Sequence, residues 1–173
     1  MSFYKTNISP SFPDHSKVWI YQAADVFTDE IAAAIQTKIT EFTKQWSAHK
    51  LQVNATGAVL HNLFVVLVAD ESEVNVSGCS IDSSVHFIKA LGQEFNIDFF
   101  DRMKIAFRSS LEGEIEVQNF NLLIEKINSG AINSDINVFN NTIQTLADFK
   151  TKWLVPVSNS WLGARINKEA LSS

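Results

Sequence analysis

Residues 51–69 read LQVNATGAVLHNLFVVLVA, and this stretch decides the fold class. Leu51 to Thr56 alternates weakly and Gly57 punctuates the run. Val59 to Ala69 is dense in Val, Leu and Phe, so the whole reads as two antiparallel strands. Immediately upstream, Ile31, Ile35, Ile39, Phe42 and Trp46 recur at spacings of four, four, three and four, which places one apolar face of a helix toward a core. Thr28 ahead of Asp29 and Glu30 supplies an N-cap followed by acids at the positive end of the helix dipole. Before that helix, Lys17 to Ala23 (KVWIYQA) is β-branched and aromatic without Gly or Pro, and reads as a first strand. Residues 1–16, with Pro10 and Pro13, read as an extended arm that packs by Phe3, Tyr4 and Phe12.

Downstream, Ile81, Val85, Ile88, Leu91 and Phe95 predict a second helix that Ser80 caps and that stops near Asn96. Met103–Ser109 and Glu114–Val117 predict short strands joined across Gly113. Phe120, Leu123, Ile124 and Ile127 predict a third helix stopped by Gly130. Ile136–Phe139 reads as a short strand and Asn140–Lys152 as a fourth helix. Residues 154–173, with Pro156 and Trp161, show little regular pattern. The order of elements predicts one α+β domain over residues 1–173, an antiparallel sheet with helices on one face. The first half follows the βαββαβ plan of ferredoxin-like folds.

The chain has 173 residues, 46% of them apolar, with 13 Phe and 4 Trp. A chain of that size and ring content builds a core without disulfides. A net charge of −5 argues against a broad nucleic-acid or anionic-membrane surface. The longest apolar run, Leu63–Ala69, is seven residues, against about twenty for a membrane-spanning helix. The first twenty residues do not have the pattern of a signal peptide. One cysteine, Cys79, allows neither an internal disulfide nor a multi-cysteine zinc site, so the expectation is a cytoplasmic protein. None of the six glycines stands in Gly-x-x-x-x-Gly-Lys-Ser/Thr or Gly-x-Gly-x-x-Gly spacing, which argues against a phosphate-loop ATPase or a dinucleotide site. The acids Asp70, Glu71 and Glu73 and the pair Asp98 and Asp101 follow no metal-ligand pattern, so neither metal nor cofactor is expected.

Ser77-Gly78-Cys79-Ser80 is the chemically distinctive spot. It sets the sole thiol beside a glycine at the expected start of the second helix, where backbone N–H groups favour a thiolate or a bound anion. Gly78 there permits close approach of a ligand or of another backbone segment. A nucleophilic Cys79 needs a base. His49, read as closing the first helix, or His61 would serve, with Asp82 orienting it; His86 lies two turns beyond the thiol.

The blocks Val18-Trp19-Ile20-Tyr21-Gln22-Ala23, Trp46-Ser47-Ala48-His49, Ser77-Gly78-Cys79-Ser80-Ile81-Asp82, Val138-Phe139-Asn140-Asn141 and Ser160-Trp161 resemble a family of small cytoplasmic proteins of Bacteroidetes-type bacteria. Members of that family often carry the automatic label "ABC transporter ATPase". The chain lacks the Walker A loop that the label requires. The resemblance directs attention to Cys79, Asp82, His49, Asn140 and Trp161 as positions within its blocks, and Asn140 and Trp161 join Ser77, Gly78 and Ser80 as candidate ligand-binding residues. Three readings follow: a module binding a small molecule or protein at the Ser77–Ser80 helix start, a thiol enzyme built on Cys79, Asp82 and His49, and an assembly subunit that forms a homodimer through a sheet edge.

Overall fold

The computed structural model describes Ile8 and residues 11–166; Phe3 and Tyr4 of the arm lie outside the described residues. The chain divides into two compact units, residues 1–100 with 141–151, and residues 101–140 with 152–173. Both are built of antiparallel strands and helices, so the α+β class is what the structure shows.

In the first unit β1 (Lys17–Gln22), β4 (Asn54–Leu60) and β5 (Phe64–Asp70) form a sheet in the order β1-β5-β4, antiparallel throughout. Helix α1 (Asp29–Gln45) starts at Thr28, whose hydroxyl accepts the Ile31 N–H as the sequence predicts. It lies on the face carrying Trp19 and Leu67. The strands do not break at Gly57. That residue is in the middle of β4, and the hairpin turns at His61 and Asn62, both left-handed with φ of 55° and 50°. A Cβ at position 57 would sit 2.6 Å from Ile39 Cγ2 and 2.9 Å from Leu67 Cδ2, so the glycine marks where the helix touches the sheet. Gln36, one turn earlier, donates Nε2–H to the Gly57 carbonyl and accepts the Val59 N–H, occupying the outer edge of β4.

Helix α2 (Gly78–Phe95) ends where predicted, at a left-handed Asn96. It packs beside α1 through stacked rings of Phe42 and Phe87, 4.3 Å apart. Between α1 and β4 the short strands β2 (Ser47–Ala48) and β3 (Leu51–Gln52) form a hairpin whose turn is His49 and Lys50, both at positive φ. His49 therefore does not close the first helix.

The ferredoxin-like plan holds for three strands and two helices and fails at the closing strand. The outer edge of β1 is already occupied at both ends: the Val18 N–H reaches the Gln144 carbonyl, and the Ala24 N–H reaches the Asp98 carbonyl. The chain instead carries β6 (Lys104–Arg108) into a second sheet. The same pairing shortens the predicted fourth helix. Thr145 bridges Lys17, so α4 spans only Leu146–Lys152.

The arm is pinned by polar contacts. Lys150 binds the Asp14 carboxylate at 2.6 Å, the Ala147 N–H reaches the Asp14 carbonyl, and the His15 Nε2 lies 3.1 Å from the Ser72 hydroxyl. Ser72 in turn donates its hydroxyl and its backbone N–H to Asp70.

In the second unit β7 (Ile115–Asn119), β6, β8 (Asn137–Phe139) and β9 (Leu154–Pro156) form a sheet in the order β7-β6-β8-β9. Asn119 caps α3 (Phe120–Asn128), and Gly130 follows it at φ 77°. Leu123 and Ile127 of α3 pack on Ile105, Phe107 and Val138. The stretch read as an irregular tail is more ordered than expected. It supplies β9 and two 3-10 turns, and it buries Val157, Leu162 and Ile166 in that core.

Two outcomes test these contacts. Gly57→Ala forces Ile39 aside and lowers stability by about 1–3 kcal/mol in denaturant unfolding; adding Ile39→Ala makes the combined loss smaller than the sum of the two single losses. The Ser72 hydroxyl, then the Ser72 N–H, then Asn54 hold the Asp70 carboxyl below its ordinary range, and burial opposes them. A depressed folded pKa contributes stability above the unfolded value of about 3.9 that is lost as pH falls through the folded one. The stability gap between the wild type and Asp70→Asn therefore narrows as pH is lowered from neutral to about 3, read from thermal melts.

Candidate functional site

The start of α2 is built around a buried serine. Ser80 is buried in the first turn and does not cap the helix. Its hydroxyl donates to the Ser47 carbonyl at 2.8 Å, and its own carbonyl accepts the Trp46 indole N–H at 2.9 Å. Trp46 sits immediately after α1 and packs against the rings of Trp19 and Phe42, with Ala48, Val53 and Ala69 completing the cluster. The end of one helix is thus fastened to the beginning of the next through fully engaged polar atoms. Ser80 belongs to this joint and presents nothing to solvent.

Ser77 holds the N-cap position with extended backbone, φ −79° and ψ 170°, and makes no side-chain cap bond. Its hydroxyl lies 3.2 Å from the Ser80 hydroxyl, turned toward the joint. The Ser80 and Ile81 N–H groups close on the Ser77 carbonyl. The N–H groups of Gly78 and Cys79 precede the first helical bonds and have no acceptor among the described residues. Both residues are exposed. Nothing lies within 4 Å of a Cβ built on Gly78, so the glycine keeps an open approach and accommodates no neighbouring backbone.

The Cys79 side chain is free and exposed. Asp82 is exposed on the same helix, His86 is exposed further along it, and His49 is exposed in the β2–β3 turn. Among the described residues no side-chain hydrogen bond or ion pair joins Cys79 to Asp82 or His49. His61 lies in the turn between β4 and β5, beside Phe64. Asn140 and Trp161 belong to the second unit. The Asn140 N–H reaches the Trp153 carbonyl at 2.6 Å, and Trp161 is 46% exposed, whereas Trp153 is buried against Phe139.

Sequence reading missed a concavity at the opposite end of α2. It has a volume of about 500 Å³ and is lined by Lys89, Gln93, Asn96, Asp98 and Phe100 among others. Its signal in the sequence is the left-handed Asn96, which redirects the chain so that Ile97–Phe100 turns back beside the helix. Nearby, burial raises the pKa of Tyr21, and a hydrogen bond with Ser84 partly offsets the rise.

Among the described residues no group of three or more His, Cys, Asp or Glu side chains is placed to hold a metal ion, and no helix is long and apolar enough to cross a membrane. Compared with protein-family models, curated proteins and solved structures, the chain matches none.

The Trp46–Ser80 bond carries a direct expectation. Trp46→Phe keeps the ring packing but removes the indole donor, leaving the Ser80 carbonyl its helical bond alone, and costs about 0.5–1.5 kcal/mol in chemical unfolding. Cys79→Ala, at an exposed position, changes stability by less than about 0.5 kcal/mol in the same assay.

Proposed function

We propose that the protein is a binding module that takes an anionic group, a carboxylate or phosphate of a small molecule or of a protein partner, at the start of α2. One observation carries the reading. The N-cap serine is turned inward, so the Gly78 and Cys79 N–H groups are left without a side-chain acceptor beneath open space. Paired N–H groups at the positive end of an 18-residue helix attract an anion. The joint behind them holds the site rigid, because Ser80 and Trp46 fix the first turn from within. The resemblance to the small Bacteroidetes-type family assigns no activity, so the reading stands on this helix start. The cytoplasm suits an exposed, unpaired thiol.

A second reading, a thiol-dependent enzyme with Cys79 as nucleophile, draws on the exposure of that thiol at a helix start. It requires His49 or His61 to approach as base and Asp82 to orient it.

Titration with inorganic phosphate and with acetate, followed by amide NMR, tests the first reading. The Gly78 and Cys79 resonances shift with saturation, and Ser77→Asp, which sets an internal carboxylate at the helix start within reach of the Cys79 N–H, removes the response. Unmoved resonances at both residues overturn it. Alkylation of the native protein against pH tests the second. A midpoint well below the ordinary thiol value of about 8.5 supports an activated Cys79, and an ordinary midpoint removes the enzyme reading.

A further inference from the structure

We infer that β7 is an association edge, through which two copies of this chain pair their strands about a two-fold axis centred on Val117. Apart from the two-residue strands of the β2–β3 hairpin, the two larger sheets have four edges, and three are blunted. The outer edge of β4 is occupied by the Gln36 amide. That of β1 is held at its ends by Gln144 and Asp98. β9 is three residues long and includes Pro156, which has no N–H to offer. β7 is five residues long, contains no proline and no lysine, and has no strand paired with its outer side among the described residues. Natural sheets rarely leave such an edge uncovered unless a strand is to be added there.

The orientation of the backbone follows from one bond. The Phe120 N–H donates to the Met103 carbonyl, on the β6 side. Strand alternation then points residues 116 and 118 toward β6, and Ile115, Val117 and Asn119 outward. Among the described residues the outward Asn119 N–H reaches only the neighbouring Gln118 side chain, at 3.3 Å.

An antiparallel pairing centred on Val117 sets these outward residues against one another. Val117 faces Val117 of the second copy, and Ile115 faces Asn119, in the register that exchanges both N–H and carbonyl groups of each pair. The side chains suit the same register. Glu116, the one charge in the strand, comes opposite Gln118 and never opposite itself. The axis also brings the turn carrying the exposed Leu111 beside the first turn of α3 carrying the exposed Leu122 of the other copy. A closed two-fold contact uses up the edge, so association stops at the dimer.

Sedimentation velocity of the full chain over a wide concentration range tests this. The expected result is a reversible dimer. Val117→Pro deletes an outward N–H without removing a bond to β6, and abolishes the dimer while the circular dichroism spectrum is kept. Gln118→Glu sets like charges across the axis twice, and weakens the dimer about tenfold at low salt, less at high salt. This second variant decides the matter if the proline variant does not fold. Hydrogen exchange of the Ile115 and Val117 amides slows as protein concentration rises. A wild-type chain that stays monomeric over the range overturns the inference. So does a dimer that Gln118→Glu leaves unweakened, or one in which the two amides exchange at the monomer rate.

Discussion

Helix α1 lies on the sheet because residue 57 has no side chain. The Ile39 side chain fills the place that a Cβ would take, and this close approach brings Gln36 within reach of both Gly57 and Val59. One contact thus sets the distance between helix and sheet and closes the edge of β4. It also fixes where the last turn of α1 delivers Trp46, whose indole fastens the start of α2. Core packing of this density transmits a misplacement along the helix, because no void absorbs it.

The amphipathic elements were legible in the sequence. Both long helices fall where their apolar spacing put them, and the caps at Thr28, Asn96 and Gly130 function as their residue types imply. Punctuation was less legible. A glycine in an apolar stretch reads as a turn, yet Gly57 answers to a helix that the local sequence does not contain. The actual turn falls at His61 and Asn62, and asparagine tolerates left-handed backbone. The fourth helix was overread because Ile143 falls in helical period with Leu146, Phe149 and Trp153, while pairing of Gln144 and Thr145 with the distant β1 edge overrides it. The order of C-terminal residues 154–166 was hidden for a like reason, since a three-residue strand has too short a period to register.

The sequence placed the start of α2 within residues 77–84 and misassigned its cap. Ser77 and Ser80 are both plausible caps by residue type. The structure separates them through Trp46, 34 residues from Ser80, which requires the Ser80 carbonyl and leaves Ser77 at the cap position. Nothing local distinguishes the two serines, because the deciding partner belongs to another helix. The same long-range origin explains His49, which became a hairpin turn once Trp46 drew the chain out of α1.

The first unit is discontinuous in sequence, which bears on how it is made. Residues 141–151 complete it after the whole of 101–140 has been synthesised, and the bonds that join them to the N-terminal part close loops of 119 residues at Gln22 and 136 at Asp14. A nascent chain folding from its N-terminus holds β1 with the Gln144 position vacant until that stretch leaves the ribosome. Loops of that length close slowly and at an entropic cost that grows with the logarithm of their length. Residues 141–151 therefore act as a late latch, and Asp14 of the arm gains its partners Ala147 and Lys150 only after residues 101–140 have been made.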